Sequence, residues 1–128
     1  MSDRFKTPGD FSWTELMTSD VEGAKAFYRE VFGWEMEEMP TPTGPYVTVK
    51  AGGSAVGGMM AMPAQVPVGT PPHWAAYVTV EDVAAAAEKV QEKGGTVLVP
   101  PTDIPGVGTF CTFQDPQGAV LSAIKYTE

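Results

Sequence analysis

One supersecondary pattern occurs twice in this sequence, so any fold must build the same unit two times. Residues 11–33 align without gaps on residues 73–95 at an offset of 62, which places Asp20 on Asp82. The match is weak in identity, but the order of predicted elements agrees. Two such units commonly share a core and enclose a site between them.

A second alignment extends the repeat to the other part of each unit. Residues 43–58 align on residues 107–122 at an offset of 64, which places Thr48 on Thr112. Hydrophobic alternation and helix-start signals give each copy the order strand, helix, strand, strand, strand. The sequence therefore predicts two βαβββ modules in tandem.

The module boundaries follow from turn and breaker residues. The first module spans about residues 11–62 and the second about residues 73–126, within a single domain of 128 residues. Between them Pro63–Pro72 has four prolines in ten residues, which is typical of a stiff linker. A second Pro/Gly-rich stretch, Pro100–Gly108, is predicted to be a loop.

Composition excludes several classes of partner and compartment. The formal net charge is −8, which disfavours nucleic acid and anionic membrane surfaces as partners. One cysteine allows no intrachain disulfide, so a reducing cytoplasm is the expected compartment. The chain shows no signal-peptide pattern and no apolar stretch of transmembrane length.

Three motifs in a fixed order carry a family resemblance over nearly the whole chain. They are Asp20–Tyr28 (DVEGAKAFY) followed by Val31–Trp34 (VFGW), Val80–Val83 (VEDV), and Phe113–Gly118 (FQDPQG). The chain resembles the vicinal oxygen chelate superfamily, which includes glyoxalase I, bleomycin-resistance proteins and extradiol dioxygenases. The resemblance implies an α+β fold in which two βαβββ modules form U-shaped mixed sheets around a pocket. It also implies a homodimer, arranged side by side or by module swapping.

The resemblance also implies where a metal would be bound. Superfamily metals are held by His, Glu or Gln from the first and fourth strands of both modules. Counting from the motifs places those positions at Trp13, Gly58, Ala75 and Ser122. Three of these side chains offer no donor to a divalent metal, and a neutral serine hydroxyl is a poor fourth. We therefore expect no metal and no other cofactor.

Strand alternation and superfamily geometry together predict the pocket lining. Gly58 and Ala75 facing inward bring Met60 and His73 to the same side, and the family geometry turns alternate residues of the third and fourth strands inward. The predicted ligand-binding residues are Trp13, Tyr46, Thr48, Gly58, Met60, Ala75, Phe110, Thr112 and Ser122. Apolar and aromatic linings with a few polar groups are typical of small-molecule sites.

Glu15, Tyr77 and His73 are the candidate catalytic residues. A carboxylate aimed into an apolar cavity can serve as a general acid or base. Tyr77 lies at the position equivalent to Glu15 in the repeat, where it could bond to Glu15 or to a ligand. His73 is a possible second proton carrier. The alternatives left open are a solvated or lysine-paired Glu15 and a histidine without function at the rim.

Three functions remain open from the sequence. The first is a metal-free glyoxalase-like or bleomycin-resistance-like protein that binds a small, mostly apolar or aromatic molecule. The second is a metal-independent lyase, isomerase or hydroxylase-like enzyme using Glu15. The third is a metal-dependent glyoxalase I-type lyase or dioxygenase with ligands at other positions. The sequence does not identify the ligand.

Overall fold

The computed structural model describes residues 3–41, 44–63, 66 and 68–127, and these divide into two compact units. The first unit is Trp13–Ala75, and the second unit is Met1–Ser12 together with Ala76–Glu128. The elements in chain order are a short 3-10 helix (Asp3–Phe5), β1 (Phe11–Thr18), α1 (Val21–Phe32), β2 (Glu35–Met39), β3 (Tyr46–Ala51), β4 (Ser54–Ala61), β5 (His73–Thr79), α2 (Val83–Glu92), β6 (Thr96–Ile104), β7 (Gly108–Gln114) and β8 (Val120–Tyr126). The predicted α+β class and the doubled βαβββ order are confirmed.

In the first unit, four strands lie in the order β2-β3-β4-β1, and α1 packs on one face of this sheet. Strands β1 and β4 are parallel, and the other neighbours are antiparallel. The buried core consists of Leu16, Val47, Val49 and Met59. Because strand residues alternate between faces, the neighbours of these core residues in sequence lie on the opposite side of the sheet. That opposite side is called the first sheet face below.

Helix α1 begins and ends where the sequence signals predict. The Asp20 carboxylate accepts a hydrogen bond from the Gly23 amide at 2.9 Å, which satisfies one of the unpaired N–H groups of the first turn. Gly33 ends the helix in the left-handed conformation, at φ +71°, and its N–H donates to the Arg29 carbonyl.

The second unit repeats this arrangement with strands in the order β5-β8-β7-β6. Strands β5 and β8 are parallel, and α2 starts at the Asp82 cap, whose carboxylate accepts from the Ala85 amide at 3.1 Å. The buried core here consists of Val83, Ala87, Cys111 and Ala123. The side of the sheet away from this core is called the second sheet face.

Strand register reproduces the two offsets of the sequence repeat. Gly58 of β4 pairs with Glu15 of β1 and with Thr48 of β3. Ser122 of β8 pairs in the same way with Tyr77 of β5 and with Thr112 of β7. The repeat offset is 62 for the first strand of each module and 64 for the third and fourth strands. The same strand register therefore occurs in both units.

The predicted loop at Pro100–Gly108 is wrong for its first five residues. Strand β6 continues to Ile104 and includes Pro100 and Pro101. It lies at the end of the strand order of its unit, and its pairing with β7 shifts register between Val97 and Thr102. Proline is tolerated in such a strand because its missing N–H faces away from the ladder or falls in an irregularity.

Part of the predicted linker falls outside the described residues, namely positions 64, 65 and 67. Within the described part of the chain, neither helix has the length and apolar character required to cross a bilayer.

Candidate functional site

The first sheet face carries a hydrogen-bonded series of three side chains. The Trp13 indole Nε1–H donates to the Tyr46 hydroxyl oxygen at 2.9 Å. The Tyr46 hydroxyl in turn donates to Oε2 of Glu15, also at 2.9 Å. Glu15 is buried, and Trp13 and Tyr46 are half-buried. The series therefore holds a carboxylate in a fixed position beside two large rings.

Backbone alternation explains why these three residues meet. Leu16 and Val47 point into the core of the first unit, so Glu15 and Tyr46, each one residue before them, point to the first sheet face. Sequence reasoning placed both residues in the pocket, but it named Tyr77 rather than Tyr46 as the candidate partner of Glu15. The Glu15–Tyr46 contact joins two non-adjacent strands, which no local sequence pattern specifies.

Gly58 has a role that the sequence did not reveal. A Cβ built on Gly58 would overlap the hydroxyl and ring of Tyr46, so only glycine leaves room for that ring over β4. Both Gly57 and Gly58 are buried within β4. Gly57 is needed for another reason, because a Cβ there would overlap the Thr14 carbonyl oxygen of the neighbouring strand.

Thr48 and Met60 complete the predicted residues of β3 and β4. Thr48 pairs with Gly58, and Met60 pairs with Met17 of β1, so both lie along the first sheet face. Val56, which alternation also places on this side, lines a cleft on the helix side instead. The reason is an irregularity between Val49 and Lys50, which moves the pairing by one residue and reverses the side of the sheet.

The second sheet face groups four of the predicted residues. The hydroxyls of Thr112 and Ser122 are 2.7 Å apart, within hydrogen-bond distance. The rings of Tyr77 and Phe110 meet edge to face with their centroids 6.3 Å apart. Tyr77 and Ser122 are buried, whereas Phe110 and Thr112 are half-buried. This face thus combines aromatic surface with hydroxyl groups and carries no charge at these four positions.

His73 and Ala75 lie on β5 and are both half-buried. The Nδ1 atom of His73 is 2.9 Å from the Pro71 carbonyl oxygen, which can only accept, so Nδ1 carries the hydrogen of this bond. The other ring nitrogen then remains as the proton-accepting atom of the neutral imidazole. The role of His73 as a proton carrier stays a prediction.

The residues at the four implied metal-ligand positions do not fit a divalent metal. Trp13 uses its only nitrogen as a donor to Tyr46, Gly58 and Ala75 have no donor atom in their side chains, and the Ser122 hydroxyl is bonded to Thr112. Among the residues that the structure describes, no three His, Cys, Asp or Glu side chains come together. The donor chemistry of this set therefore differs from the His, Glu and Gln ligands of the family.

Cys111 lies in the core of the second unit and is fully buried. Desolvation by burial raises the pKa of its thiol, and a backbone hydrogen bond at Ala123 opposes this rise. Because the thiolate is the reactive species, burial and a raised pKa both protect the sulfur.

We therefore expect native Cys111 to react with a disulfide reagent such as dithiobis-nitrobenzoate at least ~100-fold more slowly than a free thiol at the same pH, since access requires opening of the fold. Absorbance of the released thiolate measures the rate, and complete reaction in concentrated guanidinium is the control. Fast stoichiometric labelling of the native protein would contradict this assignment.

The comparisons with known proteins agree with this architecture. The model of the Glyoxalase/Bleomycin resistance protein/Dioxygenase superfamily matches residues 10–122. "Putative glyoxylase CFP32" of Mycobacterium bovis is 42% identical over 118 residues, which cover 91% of this chain and 44% of that protein. "Anthracycline biosynthesis protein DnrV" of Streptomyces peucetius is 29% identical over 127 residues, covering 90% of this chain and 46% of that protein.

Solved structures extend the likeness to the fold. Methylmalonyl-CoA epimerase from Mycobacterium tuberculosis superposes with a TM-score of 0.66 at 14% identity, over 94% of this chain and 89% of the epimerase. At that identity the likeness concerns the fold alone. The chain spans about half the length of the curated relatives that it matches. From the match over residues 10–122, the chain belongs to the glyoxalase/bleomycin resistance protein/dioxygenase superfamily.

Proposed function

We propose that this chain binds a small, mainly apolar or aromatic organic molecule on its sheet faces without using a metal. The observation that carries the proposal is the series from Trp13 through Tyr46 to Glu15. One member, Trp13, stands at a position where the resemblance implies a metal ligand, and the series offers a small molecule two ring surfaces and one carboxylate. A few polar groups fixed in an apolar surround are the usual basis of small-molecule recognition.

The chemistry of the two faces indicates which ligands fit. The first sheet face has a buried carboxylate, which favours a ligand with a hydrogen-bond donor and disfavours an anion. The second sheet face has Tyr77 and Phe110 beside the Thr112 and Ser122 hydroxyls. Aromatic molecules carrying hydroxyl or amine groups satisfy the requirements of either face. The similarity to a protein of anthracycline biosynthesis supports an aromatic ligand.

The three tryptophan indole N–H signals provide a direct test. Trp13 donates to Tyr46 on the first sheet face, whereas Trp74 donates to the Tyr28 hydroxyl on the helix side at 3.2 Å. A neutral aromatic probe, 2-naphthol, is titrated into nitrogen-15-labelled protein and followed by NMR. We expect the Trp13 indole signal to shift with saturation while the Trp74 signal stays unchanged. A shift of Trp74 without Trp13 would place binding elsewhere and refute the proposal.

Tyr46→Phe gives the matched variant for this titration. It keeps the ring but removes both the acceptor for Trp13 and the donor to Glu15. We expect 2-naphthol to bind about 10-fold more weakly, because without the Tyr46 hydroxyl the Glu15 carboxylate is no longer held in position to accept from the naphthol hydroxyl. Tyr28→Phe, which removes a hydroxyl on the helix side, is the control and should leave the affinity unchanged. If both variants bind 2-naphthol as tightly as the wild type does, the Trp13–Tyr46–Glu15 series has no part in ligand recognition.

Catalysis without metal is the second candidate, and the buried Glu15 carboxylate favours it. A positioned carboxylate next to a phenol can accept a proton from a carbon adjacent to a carbonyl group and return it. Incubation of small carbonyl compounds in D₂O would then replace that C–H proton with deuterium. The exchange should require Glu15 and be lost in Glu15→Gln. Exchange that persists in Glu15→Gln would exclude this role for Glu15.

Two measurements of metal binding distinguish a metal-dependent protein from both candidates. Elemental analysis of protein purified without chelator, together with thermal shift against Mg²⁺, Mn²⁺, Fe²⁺, Co²⁺, Ni²⁺ and Zn²⁺, reports any specific binding. We expect neither stoichiometric metal nor a shift in melting temperature, because the residues at the ligand positions are poor donors. Stoichiometric metal, or a shift that Glu15→Gln abolishes, would overturn the metal-free proposal.

A further inference from the structure

The helix side of the first unit holds a cleft of about 510 Å³ beside the last turn of α1. All of its lining residues belong to the first unit, and four of them are aromatic: Tyr28, Phe32, Trp34 and Trp74. Its volume falls within the ~300–1,000 Å³ that is usual for sites of small molecules. This cleft is called the aromatic cleft below.

The four rings of the aromatic cleft form one continuous cluster whose faces point in different directions. Tyr28 and Trp74 meet edge to face with their centroids 5.4 Å apart, and Trp34 and Trp74 do so at 6.0 Å. Phe32 and Trp34 are tilted by 40° at 4.9 Å. The Trp74 Nε1–H donates to the Tyr28 hydroxyl at 3.2 Å, so these polar atoms are engaged within the cluster. The cleft therefore presents a ligand mainly with ring faces, which carry partial negative charge.

The second unit shows that the module folds without such a lining. At the repeat offset of 62, Tyr28 corresponds to Val90. Val90 lines a smaller cleft of about 330 Å³ beside α2, where the lining includes Lys89, Lys93 and one ring, that of Phe113. Helix packing in this module is thus compatible with an aliphatic residue and two lysines at this place. The four rings of the first unit call for an explanation other than folding.

Charge at the aromatic cleft favours a cation. The chain has a net charge of −8, which attracts cations in general. Helix α1 ends at Phe32, and the carbonyl groups of a last helical turn carry partial negative charge. Among the described residues that line the cleft, none has a charged side chain. Arg29, the basic residue of that turn, is exposed and lies outside the lining.

We propose that the aromatic cleft binds a small organic cation that carries a quaternary ammonium group. A cation over a ring face is attracted within ~6 Å of the centroid, most strongly by tryptophan, and groups of rings recognise quaternary ammonium ligands. A primary ammonium is strongly hydrated, and the described lining offers no carboxylate to replace that water. A quaternary ammonium presents methyl groups instead, which suit an apolar lining. The site lies on the opposite side of the sheet from the Trp13–Tyr46–Glu15 series.

Choline and its neutral carbon analogue, 3,3-dimethyl-1-butanol, test whether the charge is required, because the two compounds have the same shape. Each is titrated into nitrogen-15-labelled protein and followed by NMR. We expect choline to shift the indole N–H signals of Trp34 and Trp74 with saturation and to leave that of Trp13 unchanged. The neutral analogue should bind at least ~10-fold more weakly, because it lacks the attraction to the ring faces. Equal affinities of the two compounds, a choline shift of Trp13 alone, or no saturable shift would each overturn the proposal.

Phe32→Leu and Phe27→Leu form a matched pair of variants for this titration. Both residues are 60% exposed on α1, but of the two only Phe32 lines the cleft. Leucine keeps an apolar side chain and removes the ring. We expect choline to bind about 3-fold more weakly to Phe32→Leu, whereas Phe27→Leu should bind it like the wild type.

The neutral analogue and the melting temperature separate loss of the cation site from loss of the fold. The affinity for 3,3-dimethyl-1-butanol should change less in Phe32→Leu than the affinity for choline does. Circular dichroism should give the same melting temperature for both variants and the wild type, since both positions are exposed. Unchanged choline affinity in Phe32→Leu, or equal weakening in both variants, would contradict the assignment of the cleft as a cation site.

Discussion

Replacing Gly58 with alanine is expected to displace Tyr46 and to disrupt the first sheet face. The new Cβ would overlap the Tyr46 hydroxyl and ring, so the ring must move or the strands must separate. Overpacking of this kind costs about 1–3 kcal/mol in the free energy of unfolding. Movement of the ring would also remove the acceptor of the Trp13 indole and the donor to Glu15. Urea unfolding and the Trp13 indole NMR signal measure the two effects.

A double-mutant cycle with Tyr46→Ala shows whether the ring is the cause. Once the ring is removed, Gly58→Ala should cost less than ~0.5 kcal/mol, because nothing else from Tyr46 remains for the Cβ to meet. It could even stabilise the strand, since alanine loses less backbone entropy than glycine on folding. An undiminished cost in the Tyr46→Ala background would show that the backbone of β4, and not Tyr46, requires the glycine.

Replacing Gly108 with alanine is expected to destabilise the second unit. The expected loss in the free energy of unfolding is larger than that for Gly58→Ala. Gly108 is buried at the start of β7 and pairs with Tyr126 of β8. A Cβ there would lie 2.8 Å from the Cα of Tyr126 and would overlap the Lys125 carbonyl oxygen. Both obstacles are backbone atoms, so no side-chain rotation relieves them. We expect a loss of about 3 kcal/mol in the free energy of unfolding, measured by urea denaturation.

Gly118→Ala is the control that separates steric overlap from conformational strain. Gly118 has φ +99°, but a Cβ there would meet only the Gln114 side-chain nitrogen at 4.0 Å. Backbone strain alone should therefore lower the free energy of unfolding of Gly118→Ala by about 1 kcal/mol. If Gly108→Ala and Gly118→Ala cost the same, the close approach of β7 and β8 would not be the reason for the glycine at position 108.

Local patterns in the sequence predicted most of the elements. Helix α1 begins after Asp20 and ends at Gly33, because these residues are strong start and stop signals whose effect is local. The doubled module followed from the two repeat offsets, which the strand register reproduces. Strand β6 was predicted too short, because two prolines normally end a strand and only its position at the end of the strand order makes them tolerable.

The candidate site was predicted in part. Alternation from Trp13 placed Glu15 on the same side of β1, because the side-chain period of a strand is fixed at two residues, and the geometry implied by the family resemblance placed Tyr46 there as well. It did not predict that Tyr46 bonds to both others, since that contact depends on which strands become neighbours. Along β4 the alternation breaks at Val56, because a one-residue irregularity in the pairing of β3 and β4 reverses the side without leaving a clear sequence signal.

The sequence by itself determined the repeat, the module order, the family and the absence of the usual ligand types at the implied metal positions. All of these depend on residue identity and on short-range periodicity. The tertiary structure decided that Gly58 accommodates a ring, that the Trp13–Tyr46–Glu15 series forms, and that α1 leaves Phe27 and Val31 uncovered. Those features arise from residues far apart in the chain, whose contacts exist only once the strands have paired and the helix has packed.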